Sequence, residues 1–117
     1  MKLPNHRLAA VAAVFVATTT FTAFAGEKKS VDAMIESAKT PADHKALAAK
    51  FEQAASDATA QAEMHRKMGD SYKKTGGVAI AKWKLDEHCS ALVAKYEALA
   101  KENSEMAKAH QQMAEQK

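Results

Sequence analysis

The residues best suited to chemistry in this 117-residue chain are soft metal ligands at helical spacing. His65 and Met68 are three residues apart, and His110 and Met113 repeat that spacing 45 positions later. Side chains three or four residues apart on a helix have Cβ atoms about 5 to 6 Å apart, so each pair can share one ion. Thiolate and thioether sulfurs favour Cu(I), and imidazole binds copper or zinc. The candidate metal ligands are His65, Met68, Cys89, His88, His44, His110, Met113 and Met106.

Two long stripes with alternating steps of three and four residues predict the helices that would position these ligands. The first stripe contains His44, Leu47, Phe51, Ala54, Ala58, Gln61, His65, Met68 and Tyr72. The second contains Leu85, Cys89, Leu92, Tyr96, Leu99, Asn103, Met106, His110 and Met113. A shift of 45 residues superimposes the stripes, which indicates an internal duplication with repeats at about 30–75 and 78–117. We therefore expect an all-α antiparallel helical hairpin with a short N-terminal helix, dimerising into a four-helix bundle.

Capping residues indicate where the helices begin and end. Thr40, Pro41 and Asp43 supply a hydroxyl cap, a proline at the first helical position and a carboxylate at the third. The expected helices run from a cap at Ser30 to about Lys39, from Pro41 to about Met68 or Lys74, and from Val78 or Leu85 to about Glu115.

The turn between the two long helices decides which ligands meet. Glycines at positions 76 and 77 must end the second helix. A tight turn at these glycines would set His44 opposite His110 and His65 opposite Cys89, whereas a longer connection through Lys84 would remove both pairings. With the tight turn, two metal-binding layers would form, and the layer with the cysteine would bind Cu(I) more tightly because a thiolate is a stronger soft donor than a thioether.

The first 25 residues have the features of a secretory signal peptide. Lys2 and Arg7 precede the apolar run at positions 8–16, and an Ala-x-Ala cleavage site ends at Ala25. The apolar run is too short to span a bilayer, so we expect no stable membrane insertion after cleavage. The working protein is then a single domain, residues 26–117, in the periplasm or outside the cell.

The mature chain would carry 15 basic and 14 acidic residues, a net charge of +1. No dense basic patch is present, so nucleic acid is not an expected partner. An enzyme is not expected either. His88 and Cys89 are adjacent, and neighbouring helical side chains diverge by about 100°, so the imidazole is badly placed to activate the thiol.

Other functions are compatible with the same residues. An alanine-rich hairpin buries little apolar area, which favours a homodimer and also a structural or chaperone-like hairpin that binds a periplasmic protein. Non-covalent haem b, held by His44 and His110 inside a dimeric bundle, is a further alternative. The preferred prediction remains soft-metal binding, with copper ahead of zinc, for storage, delivery or protection.

Overall fold

The computed structural model describes residues 29–116, and every regular element in this range is an α-helix. The predicted signal peptide lies outside the described residues. The elements are α1 (Val31–Ser37), α2 (Pro41–Thr75), α3 (Val78–Trp83) and α4 (Leu85–Glu115). The two long helices pack against each other along their length, and α1 packs against α2. The prediction of an all-α hairpin with two long helices is therefore confirmed.

The start of α2 follows the predicted capping pattern. The Thr40 hydroxyl accepts a hydrogen bond from the Asp43 backbone N–H at 3.2 Å, and the Asp43 carboxylate accepts from the Thr40 N–H at 2.8 Å. The Lys39 N–H also donates to this carboxylate, at 2.9 Å. The backbone N–H of Lys39, followed by the Thr40 donors, holds the pKa of Asp43 below its ordinary value. By contrast, the side chain of Ser30 makes no capping hydrogen bond at α1.

The connection between α2 and α4 is longer than a tight turn. Gly76 and Gly77 have φ angles of 60° and 98°, which glycine adopts without steric cost. The short helix α3 follows them, and Lys84 breaks it from α4 with a left-handed φ of 50°. Val78 and Leu85, the two candidate starts of the final helix, are each the first residue of a helix: Val78 of α3 and Leu85 of α4.

The contact stripe between α2 and α4 is rotated from the predicted one. Half of each predicted stripe does face the partner helix, since Cys89 is buried and His44, His65, Tyr96 and His110 are half-buried. The other half was predicted wrongly. Leu99 is 49% exposed, Met106 and Met113 are each 45% exposed, and Met68 is 38% exposed. Small residues are buried in their place, namely Ala48, Ala55, Ala62, Gly69 and Ala107.

The small size of these residues explains the rotation. Alanine and glycine let two helix backbones approach closely, so the helices turn their alanine rows toward each other. The larger side chains of the predicted stripe then lie on the flanks of the contact. Within residues 29–116, Leu47 is the one large side chain with no exposed surface.

The two flanks of the contact differ in polarity. On one flank the Arg66 guanidinium donates to the Glu97 carboxylate, and the Gln111 amide donates to the Glu52 carboxylate. These pairs show that the polar rows of both helices share one side of the hairpin. The apolar rows must therefore share the opposite side, which we call the apolar face. It consists of Leu47, Ala54, Gln61 and Met68 on α2 and Leu92, Leu99, Met106 and Met113 on α4.

None of the helices within residues 29–116 combines the length and the apolar character needed to cross a bilayer.

Candidate metal-binding site

A pair of histidines joins α2 and α4 at the open end of the hairpin. The Nδ1 atoms of His44 and His110 are 3.1 Å apart, and both residues are half-buried. The capping box at Thr40 places His44 in the first turn of α2. The Phe51 ring stacks on the His110 ring, with centroids 5.5 Å apart and planes within 5°. Contacts from both sides thus fix the orientation of the His110 imidazole.

The 3.1 Å contact joins the two imidazoles directly. One Nδ1 donates the hydrogen bond and the other accepts it, with the roles set by the ring tautomers. Two nitrogens bound to one tetrahedral ion at about 2.0 to 2.1 Å lie about 3.3 Å apart. The two nitrogens therefore already lie at about the spacing that one shared ion requires.

Thioethers flank His110 on α4. Met106 precedes it by four residues and Met113 follows it by three, so both lie within one helical turn of the imidazole. The two methionines belong to the apolar face and are partly open to solvent. They can supply third and fourth ligands if their flexible side chains fold back toward the histidine pair.

The ligands at the turn end are arranged differently from the prediction. Cys89 is 4% exposed and packs opposite Gly69, where an added Cβ would lie 3.3 Å from the Cβ of Cys89. Gly69 lies one helical turn beyond His65 on α2. Of the two alternatives, the chain takes the longer connection through α3 and not the tight turn. Cys89 faces Gly69 instead of His65, although His44 and His110 still meet at the other end.

His65 is left with a buried, unpartnered nitrogen. Its ring stacks on the Tyr96 ring with centroids 5.5 Å apart. Its Nδ1 is shielded from solvent and makes no hydrogen bond with any residue from 29 to 116, so it makes none with Cys89. A buried polar atom without a partner is uncommon and points to a missing ligand such as water or an ion.

A shift of 45 residues relates the two ring stacks. Under that shift Phe51 corresponds to Tyr96 and His65 to His110, so the two ring stacks are equivalent. Cys89 corresponds to His44. At the open end the His44 imidazole lies against His110, whereas at the turn end the His65 Nδ1 has no hydrogen-bond partner among residues 29–116.

The remaining predicted ligands lie on the outside. Met68 is on the apolar face beside His65, and His88 is exposed on α4. Among residues 29–116 no group of three or more His, Cys, Asp or Glu side chains is placed to hold a metal ion. The structure therefore brings together two candidate ligands directly, His44 and His110, and any fuller ligand set needs methionine sulfur.

Sequence reasoning missed two features of this region. Phe51 and Tyr96 were treated as core residues, although each stacks on a candidate ligand from the opposite helix. Their position in the same stripe as the histidines was the available signal. The second missed feature is an open apolar groove of about 470 Å³ at the turn end, lined in part by Met64, Tyr72 and Ile80.

The chain matches no protein-family model, no curated protein and no solved structure.

Proposed function

We propose that this protein is an exported, non-catalytic helical hairpin that binds Cu(I) at its two ends. The observation that carries the proposal is the unpartnered Nδ1 of His65. The equivalent nitrogen of His110 has an imidazole partner at 3.1 Å, whereas the residue equivalent to that partner is Cys89. An ion between His65 and Cys89 would fill the gap left by the shorter side chain and give the buried nitrogen a ligand.

The chemistry of the donors supports copper over harder metals. The turn-end site would combine an imidazole, a thiolate and the Met68 thioether, and the open-end site would combine two imidazoles with Met113 and Met106. Soft sulfur donors favour Cu(I). Because a thiolate is anionic and a thioether is neutral, we propose that the turn-end site binds more tightly.

A duplication explains the paired sites. We propose that α1 with α2, and α3 with α4, descend from one ancestral helix pair. The recurrence of the His-x-x-Met spacing and of the two ring stacks supports this origin. The replacement of a histidine by Cys89 would then have made the two sites unequal in affinity.

A competition titration tests the function. Reduced mature protein is titrated with Cu(I) against a coloured chelator, using wild type, Cys89→Ala, His110→Ala and the double variant. We expect two Cu(I) per wild-type chain. Cys89→Ala should lose the tighter site, and His110→Ala the weaker one. Asn103→Ala is the matched control, because it alters the same helix contact without removing a ligand.

Protons should compete with the metal in this titration. Imidazole and thiol must lose their protons to bind, so Cu(I) affinity should fall as the solution becomes more acidic. A wild type that binds Cu(I) no more tightly than the double variant would refute the proposal. A Soret band in protein recovered from the export compartment would favour the haem alternative, and stoichiometric zinc would identify a different ion.

A further inference from the structure

No element within residues 29–116 covers the apolar face along most of its length. Leu99, Met106, Met113 and Met68 are all more than a third exposed, although they are among the largest apolar side chains in the two long helices. Leu47 is the exception on this face, and it lies on α2, against which α1 packs. A face with this many exposed large apolar side chains marks an interaction surface.

The sequence pattern requires a second neighbour for each long helix. A helix that packs against one partner needs two apolar rows, whereas α2 and α4 carry three. Two rows meet across the hairpin and consist mainly of small residues and rings. The third row is the apolar face, and on α4 it consists of Leu92, Leu99, Met106 and Met113 without a polar interruption. Three apolar rows are typical of helices in a bundle of four.

We propose that the apolar face is covered by the same face of a second copy of this chain, giving a four-helix bundle. The face runs from Leu47 to Met68 on α2 and from Leu92 to Met113 on α4, about 33 Å, and two helices side by side are about 20 Å wide. The face therefore offers roughly 660 Å² per chain, within the roughly 600 to 1,000 Å² per partner of a standard stable interface.

The edges of the face favour a second copy over other occupants. Lys50 and Asp57 border it on α2, and Lys95 and Glu102 border it on α4, all of them exposed. Each edge thus has one basic and one acidic residue and no net charge. An identical edge is therefore not repelled, and a strongly acidic or strongly basic partner is not attracted. A helix that binds an anionic membrane surface would carry basic residues on its polar side.

The small apolar area buried inside the hairpin also favours a second copy of the chain as the partner. Six of the seven buried apolar residues within 29–116 are alanine or cysteine, which contribute little buried area. A second copy would bury the leucines and methionines of both chains at once. It would supply a rigid surface of the same length as the face it covers.

Sedimentation of the metal-free, reduced mature protein tests this inference. Wild type should be a dimer at micromolar concentration. Leu99→Glu should weaken dimerisation about a hundredfold, because each dimer would bury two carboxylates in an apolar contact. Ala98→Glu is the matched control, since the neighbouring residue is exposed and points away from both the hairpin contact and the apolar face. It should leave the dimer intact.

Thiol labelling locates the contact even if Leu99→Glu fails to fold. In a Cys89→Ser background, Leu99→Cys should react with a maleimide more slowly as the protein concentration rises, whereas Ala98→Cys should react equally fast at all concentrations. A folded wild type that stays monomeric would overturn the proposal. Equal labelling rates at both positions, or a dimer that Leu99→Glu and Ala98→Glu weaken equally, would also overturn it. So would a monomer that forms a defined complex with a different polypeptide through this face.

Discussion

At the scale of the residue, two of the three histidines in the helix contact are each stacked on an aromatic ring from the opposite helix. Phe51 stacks on His110, and Tyr96 stacks on His65. Stacking fixes the plane of each imidazole and limits the directions in which its nitrogens can bind. The Phe51 and Tyr96 rings therefore hold one nitrogen of each stacked histidine inside the helix contact. That nitrogen pairs with another imidazole in His110, and in His65 it has no partner among residues 29–116.

The unpaired nitrogen of His65 should lower the stability of the metal-free protein. His65→Phe keeps the stacked ring and removes the unsatisfied atom, so we expect it to stabilise the metal-free fold by about 1 kcal/mol. For a domain of this size that corresponds to a rise in melting temperature of roughly 4 to 8 °C. Thermal unfolding followed by circular dichroism at neutral pH measures the change.

The control for this substitution is His88→Phe, which alters an exposed histidine on the neighbouring helix and should leave the melting temperature nearly unchanged. A lower melting temperature for His65→Phe would mean that the nitrogen is satisfied in the metal-free protein. In that case the main support for the turn-end site would be lost.

At the scale of the element, the start of α2 is the best-defined helix end in the chain. The capping box at Thr40 and Asp43 also sets the first turn in which His44 lies. Thr40→Ala should destabilise the protein by about 1 kcal/mol, because it leaves a backbone N–H of the first turn without a partner. Chemical denaturation measures this loss. Ser56→Ala, exposed in the middle of α2, is the control and should be neutral or slightly stabilising.

The cap should also depend on pH. The folded-state pKa of Asp43 lies below its ordinary value of 3.8, chiefly because of the Lys39 N–H. The ionised carboxylate therefore stabilises the fold above that pH, and the contribution is lost as the pH falls through the folded-state pKa. The stability difference between wild type and Asp43→Asn should be constant above roughly pH 5 and should shrink in acid. A difference that grows in acid would contradict this assignment.

The elements show which parts of the fold the sequence can predict. The proline cap and the two glycines were sufficient to place α2 and its end, because these signals act within a few residues. The left-handed Lys84 was not predictable, since nothing in its side chain requires a positive φ. The register across the hairpin depends on that connection, and the facing residues at the turn end were consequently predicted one turn out of place.

The rotation of the contact stripe has a different physical origin. Periodicity identifies which rows are apolar, but α2 and α4 each carry three such rows. Which two of these rows form the contact between α2 and α4 depends on the other elements that pack against each helix. Leu99 and Met106 were assigned to the hairpin contact because they continue the alternating steps of three and four residues, whereas the smaller Ala55, Ala62 and Ala107 occupy it. The step pattern fits more than one pair of rows, so it does not decide which pair forms the contact.

At the scale of the whole molecule, the proposed metal sites and the proposed dimer share side chains. Met68, Met106 and Met113 belong to the apolar face, and each lies within one helical turn of a candidate histidine ligand. A second copy that covers the face would restrict these flexible thioethers and exclude water from them. Both effects favour their use as ligands.

Copper binding and dimerisation should therefore strengthen each other. By thermodynamic linkage, the factor by which Cu(I) tightens the dimer must equal the factor by which the dimer tightens Cu(I) binding, and we expect about five- to tenfold. Leu99→Glu removes no ligand, so it should lower Cu(I) affinity by this factor while leaving the stoichiometry at two. Ala98→Glu should change neither. Competition titrations of these variants, repeated over a range of protein concentrations, measure the coupling. Cu(I) affinity that is independent of both protein concentration and the Leu99→Glu substitution would show that the methionines of the apolar face serve the dimer alone.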